Sequence, residues 1–406
     1  MAQVPKRFQR GAIVQSSIQV ASRSSSSSTL SSQDSSTRVE ALTFFRFIAA
    51  VIVVVFHYGQ AAGLSAVLTS GPQMVTFFFV LSGFVMGISY YHKKEVVAKT
   101  YWWARVSRIM PVYLLALFLT IVFLYLQREK VDIIAAGLDI VLLQSWLTPY
   151  PIKLNSPGWS LSAEMFFYFS FPFILKAISQ NKVSTSRLFI ISIIIWLATQ
   201  IVLSVALTMG YYTGFPSTSH DLIFYFPPSH FCSFLLGVSG GVWFIRNHTK
   251  ISAKFSVAVL PISIGLLWFL LTYPYLIERY VGFKLAFSSS FLSPFFLIFI
   301  IALSVVKHNS INLLKARPLI LLGEASYSIY ILQLPIHQFY YRYFDGLRNN
   351  YPVVDFYCYL ILLITLSICL FVFFEKRANI FLRYSLPDKF KGAKFWPAHL
   401  TKFGRK

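Results

Sequence analysis

Ten apolar stretches, each about as long as a bilayer is thick, recur along this 406-residue chain, at 39–61, 72–92, 109–127, 160–178, 187–209, 222–245, 255–276, 285–306, 318–341 and 353–374. A hydrocarbon core of about 30 Å is crossed by about 20 helical residues. Backbone in lipid must satisfy its own hydrogen bonds, so runs of this length and number fold as helices. The expected fold class is all-α, a polytopic membrane helical bundle of about ten transmembrane helices with a disordered N-terminal tail. An eleventh stretch, DIIAAGLDIVLLQSWL at 132–147, is short and holds Asp132 and Asp139. It reads as interfacial or re-entrant.

Lysine and arginine placement fixes the expected orientation, because cytoplasmic loops carry the excess. With ten spans and the amino terminus inside, 28 of the 36 basic residues fall on the cytoplasmic side and 7 outside, with Arg46 inside a span. Making 132–147 a span would invert everything after it and put the most basic remaining loops outside. An integral, multi-pass protein with both termini cytoplasmic, in a bacterial inner or plasma membrane, is therefore expected.

Composition narrows the function classes. The chain is 56% hydrophobic and 12% charged, with a formal charge of +22. The positive residues sit in short clusters between apolar runs, so their counterions are lipid headgroups and no nucleic acid partner is expected. Residues 1–38, with SRSSSSSTLSSQDSSTR, are too polar to bury a core and read as a disordered cytoplasmic tail. Residues 39–380 form the membrane domain and 381–406 a basic cytoplasmic tail. Cys232, Cys358 and Cys369 lie in apolar segments without metal spacing, and no metal is expected. The absence of a repeat period, or of a matched pair of broken helices, argues against an inverted-repeat transporter.

Within this apolar background a few polar residues stand out. The first segment, ALTFFRFIAAVIVVVFHYGQ, carries Arg46 and His57. Eleven residues place His57 about 16 Å further along the axis and, after about 1100° of turn, near the same face. Ionisable groups at membrane depth mark function more often than packing. Before the third segment, RVSRIMPVY sets Arg105 and Arg108 three residues apart just ahead of Pro111. The pair suits forked, charge-assisted bonds to phosphate oxygens, and equally an ordinary positive-inside anchor. In NSPGWSLSAE, residues 155–164, a turn starts a helix and carries Glu164 about two turns into the membrane, with Trp159 at the mouth. Such a carboxylate orients an imidazole, acts as a base, or rests protonated among hydroxyls. In LLGEASYSIYILQLPIHQ, Ser326, Tyr330 and Gln333 share about one face and serve either as substrate contacts or as interhelical glue. In the second segment, Gly83 and Gly87 form a small-xxx-small pair for close packing.

Taken in order, Arg46 with His57, FFVLSGF, RVSRIMPVY, NSPGWSLSAE and GEASYSIYIL resemble the acyltransferase family 3 of integral membrane proteins, many of which O-acetylate cell-surface polysaccharides. The resemblance implies acetyl-CoA as donor substrate, a reaction centre of His57 with Arg46, and Arg105 with Arg108 on the nucleotide end of the donor. Glu164 is expected to join the catalytic group, and Trp159, Ser326, Tyr330 and Gln333 to position substrate. Two departures stand out. Gln333 takes the place of a histidine common in the family, which removes a titratable group, and Glu375, Lys376 and Arg377 replace a terminal Glu-Lys-Pro. With about 30 residues after the last span, no additional extracytoplasmic hydrolase-like domain is expected.

These readings combine into an expected membrane O-acyltransferase that moves an acetyl group from cytoplasmic acetyl-CoA to a hydroxyl of a cell-surface or exported polysaccharide or glycolipid. His57 would take the hydroxyl proton while Glu164, in the same outer half, fixes the imidazole. The expected partners are acetyl-CoA, a carbohydrate acceptor, the lipid bilayer and polysaccharide export machinery. A rival from another class is a transporter or flippase of a polar lipid-linked solute, using the same buried ions as a relay. A second enzymatic reading is transfer of a longer acyl group to a small molecule.

Overall fold

The computed structural model describes residues 42–60, 70–93, 96–180, 183–306, 316–344, 347 and 350–384. The tail at 1–38 lies outside these residues, as does the second tail apart from 381–384, which continue the last helix. The described residues form helices α1 (Leu42–Tyr58), α2 (Gly71–Tyr90), α3 (Ala98–Leu126), α4 (Ile133–Ile140), α5 (Trp159–Ser179), α6 (Thr185–Thr208), α7 (Thr218–Phe224) and α8 (Pro227–Asn247). They continue with α9 (Ala253–Thr272), α10 (Pro274–Val281), α11 (Ser293–Val305), α12 (Arg317–Tyr343) and α13 (Pro352–Leu370), then a π-helical turn (Phe371–Glu375) that runs into α14 (Lys376–Tyr384). There is no strand among the described residues, and the bundle is all-α.

Every expected apolar segment contains a helix, but the ten are unequal. Among the described residues seven helices are long and apolar enough to cross a membrane by themselves, and the pair α9–α10, bent by 77° where Pro274 opens the second helix, makes an eighth when counted as one broken span. The other two are shorter. Helix α1 has 17 residues, and α11 has only 13, because residues 285–292 turn before Pro294 starts the helix. Turns inside a membrane protein persist where neighbouring side chains satisfy their carbonyls. Here Thr76 of α2 bonds to Ser289 O, and Trp196 Nε1 of α6 donates to Ser290 O at 3.0 Å. The stretch at 132–147 is no span: an eight-residue helix capped by Asp132 is followed by a 3-10 turn at Gln144–Trp146.

Helices α2 and α8 form the tightest seam. A Cβ on Gly83 would fall 2.1 Å from Phe234 O and one on Gly237 2.1 Å from Val80 O; Gly87 and Gly241 repeat the pattern one turn on. Two small-xxx-small faces thus interlock backbone on backbone. Around them Phe79, Phe167, Phe171 and Phe234 pack edge-on or stacked, and Phe84 lies tilted against Phe244. The opposite requirement shapes α6, where Ile190, Ile194, Leu197 and Ile201, at three- and four-residue spacing, form an exposed apolar stripe of the kind that faces lipid.

Candidate active site

Helices α1 and α12 run parallel and in register, which sets the depth scale of the site. At one end a Cβ on Gly323 would lie 2.1 Å from Thr43 O, so the backbones touch. At the other, the Tyr58 and His337 rings stack at 3.8 Å. Fifteen residues of one helix and fourteen of the other span these contacts, about 21 Å at 1.5 Å per residue.

On α1, Arg46 and His57 share a face with Ala50, Val53 and Val54, all buried. Arg46 is half-buried, and His57 is exposed while every other residue from 42 to 58 is buried or half-buried. The ring is thus the accessible side chain of this stretch, near the end of α1. Its neighbouring rings are Phe56 at 5.1 Å and Tyr58 at 5.8 Å.

The polar groups gather at the other end. Arg46 lies in the electrostatic field of Arg108, Glu164, Tyr168 and Glu375. Glu164 accepts a 2.6 Å hydrogen bond from Tyr168, whose oxygen lies 3.3 Å from Ser82 Oγ. Arg105 passes over the rings of Tyr101 and Tyr168, 5.6 and 5.9 Å from their centroids, and its Nε is buried without a partner. Arg108 is exposed and looks toward Arg46, Glu375 and Tyr327. Glu375, 5% exposed, is presented by the π turn and accepts from Ser328 at 2.7 Å. Both arginines lie inside α3, which starts at Ala98, twelve residues before Met110, instead of at the proline.

This placement corrects one expectation. Glu164 belongs to the arginine level, not to the level of His57. The cause is the chain before α5. The segment leading to it dips into the bundle, where Asn155 Nδ2 donates to Ile331 O at 3.2 Å and Ser160 Oγ accepts from Tyr330 at 2.9 Å, both near the middle of α12. A helix that starts at mid-depth carries its second turn past the middle. The dip is held by a buried chain: Tyr113 donates to Asp139 Oδ1 at 2.8 Å, and Gln144 Nε2 donates to both Tyr113 and Gly158 O. Burial holds the Asp139 carboxyl up at about 7.

The four residues expected to position substrate are placed as follows. Trp159 is half-buried against Tyr225 at 5.2 Å and His230 at 5.1 Å. Ser326 donates to Gly323 O in its own turn, Tyr330 donates to Ser160, and Gln333 Nε2 donates to Tyr330 O, leaving Gln333 Oε1 buried and unpartnered. The side-chain donors of Ser326, Tyr330 and Gln333 are committed to the protein, and these residues lie on α12 between the two levels. Tyr168, Ser82, Ser328 and Glu375 were not among the expected site residues. Tyr168 follows Glu164 by four positions, the spacing of facing helical side chains, which is the signal that points to it.

The arrangement gives two stations on one axis: a cluster of three arginines and two carboxylates, and about 16 Å away an exposed imidazole. No solved structure matches the chain. The acyltransferase MdmB of Streptomyces mycarofaciens is 30% identical over 51% of this chain and 59% of its own length. The O-acetyltransferase OatA of Staphylococcus aureus strain MRSA252 is 25% identical over 88% of this chain and 58% of its own, and that of strain NCTC 8325 is 25% identical over 77% and 52%. The chain thus spans between half and three-fifths of the length of these relatives. The family model described as an acyltransferase domain matches residues 39–372, and the chain therefore belongs to the acyltransferase family 3 of integral membrane proteins.

Proposed function

We propose that this protein is a membrane O-acyltransferase that takes an acetyl group from cytoplasmic acetyl-CoA and places it on a hydroxyl of a cell-surface or exported polysaccharide or glycolipid. The reading is supported most by the two stations on one axis, with an unpartnered guanidinium N–H of Arg105 at one and the accessible ring of His57 at the other. The arginine end faces the cytoplasm in this proposal, in keeping with the distribution of basic residues, and both termini lie there. Arg105 and Arg108 hold the nucleotide end of the donor. The pantetheine arm runs along the wall of Tyr330 and Ser160 and brings the thioester toward His57. The acceptor enters from the outer face.

In the transfer step, His57 takes the proton of the acceptor hydroxyl as its oxygen attacks the acetyl carbon. The new carbon–oxygen bond forms, the carbon–sulfur bond breaks, and the thiolate of CoA leaves with the proton that His57 held. Glu164 acts at the other station, where its carboxylate and Tyr168 position Arg46 and Arg105. The test is transfer of label from radiolabelled acetyl-CoA to polymer in membranes. His57→Ala should fold with an unchanged Tm and pass no label above background. Undiminished transfer by that variant removes His57 from the step, and no transfer by the unaltered protein to any surface glycan overturns the reading.

A further inference from the structure

Beside Arg105 stand two cations that the arginine pair does not include. Lys93 follows the end of α2, and Arg383 lies on α14. Arg105 hydrogen-bonds the Tyr90 phenol, and both Arg105 and Arg383 act electrostatically on Tyr90 and on Lys93. Lys93 Nζ sits 4.4 Å from the centroid of the same Tyr90 ring. Three positive side chains from three separate helical elements thus converge around one phenol. Burial, with the repulsion of Arg105 and Arg383, pulls the Lys93 ammonium below its ordinary range.

The convergence is built into the fold. Trp103 Nε1 of α3 donates to Leu382 O at 2.9 Å, which ties α14 to the helix that carries Arg105 and fixes the residue before Arg383. At the same place Arg105 Nε is buried and unpartnered. Like charges brought this close repel, and a fold that holds them together is matched to a multivalent anion. Arg108 is not one of these three, because it is turned toward Arg46 and Glu375. The two arginines of the RVSR run therefore meet the nucleotide end of the donor from different surroundings.

We propose that Lys93 and Arg383 complete with Arg105 a three-cation site for the phosphate groups of a nucleotide polyanion of the coenzyme A class, with α14 as one wall of the donor site. The proposal rests on the donor reading above, and it adds residues from the end of α2 and from the carboxy-terminal helix.

The probe is CoA itself, titrated calorimetrically into the purified full-length protein in nanodiscs, beside donor KM from the labelled transfer assay. Arg383→Ala and Lys93→Ala should each weaken CoA binding about tenfold, Arg383→Glu more, and Arg383→Lys should restore most of the loss. The loss should appear in donor KM, not in acceptor KM, and the salt dependence of binding should become shallower with each charge removed. The Tm of each variant is measured alongside. CoA affinity within twofold of the unaltered protein in Lys93→Ala, Arg383→Ala and Arg383→Glu overturns the site while leaving acetyl transfer standing. The site is equally overturned if only an Arg383 variant with a lowered Tm loses affinity and Lys93→Ala does not. CoA binding that depends on Lys93 and Arg383, in a protein that transfers no label, supports the anion site and sinks the acyltransferase reading.

Discussion

Gly83→Ala tests the packing that carries the site, and its cost can be worked out from the α2–α8 seam. A Cβ at residue 83 would lie 2.1 Å from Phe234 O and 2.9 Å from Val238 N. Carbon–oxygen contacts settle near 3.3 Å, so the helices must part by about 1.2 Å. The offending atoms are backbone on both sides, and no rotamer change relieves them. A gap of that size forfeits about a quarter to a half of each dispersion contact along the seam, where Phe79, Val80, Phe84, Phe234 and Val238 are buried. With the usual range for overpacked cores, the cost is about 3 kcal/mol. At about 2 °C per kcal/mol for a body of this size, Tm should fall by about 6 °C, read by tryptophan fluorescence in detergent. One separation relieves both clashes, so Gly83→Ala combined with Gly237→Ala should lose far less than the sum of the singles. Gly137→Ala on α4 is the control: nothing lies within 4 Å of its Cβ position, and a helix interior prefers alanine. A Tm for Gly83→Ala within 1 °C of the unaltered protein, or an additive double variant, would refute this account of the seam.

Asp139 sets a pH dependence. Its carboxyl is held at about 7 against an ordinary 3.8, so between those values the folded state binds the extra proton and stability falls as pH rises. Over about three pH units, at 1.36 kcal/mol each, the loss is about 4 kcal/mol and is complete above pH 7. Asp139→Asn should therefore flatten Tm against pH from 5 to 8 and raise Tm at pH 8; an equal slope in both proteins contradicts the assignment. Tyr168→Phe removes the hydroxyl that donates to Glu164 at 2.6 Å, a charge-assisted bond worth about 2 kcal/mol. Labelled acetyl transfer should drop about thirtyfold with the fold intact, and an unchanged rate would detach Glu164 and Tyr168 from the chemistry.

The helices were legible because a bilayer demands long apolar runs, and the shared face of Arg46 and His57 followed from their spacing alone. Depth was harder. Hydropathy reads 285–306 as one span, yet three consecutive serines, Ser288 to Ser290, and Pro294 divide it into a turn and a short helix. The level of Glu164 depends on how far the chain dips before Trp159, and that is set by Asn155 meeting Ile331 O, 176 residues away. No local pattern encodes such a contact. Gly83 and Gly87 announced a close approach but not its partner, because Gly237 and Gly241 sit in a segment that also contains Gly240, which packs instead on Leu297. Arg105 and Arg108 were legible as a pair, while the difference between their surroundings came only from tertiary neighbours on several other helices.

The π turn at Phe371–Glu375 sets how the last helix meets the arginine station. Such a turn accommodates one residue more than an α-helix would in the same rise. Removing a single residue there would return the segment to α geometry and leave α14 in phase, still seated on Trp103. Glu375 would lose the bulge that turns it toward Ser328. One surplus residue thus aims a carboxylate deep into the bundle without dephasing the guanidinium that follows on α14, so a deletion at this point should cost the carboxylate contact and spare the helix.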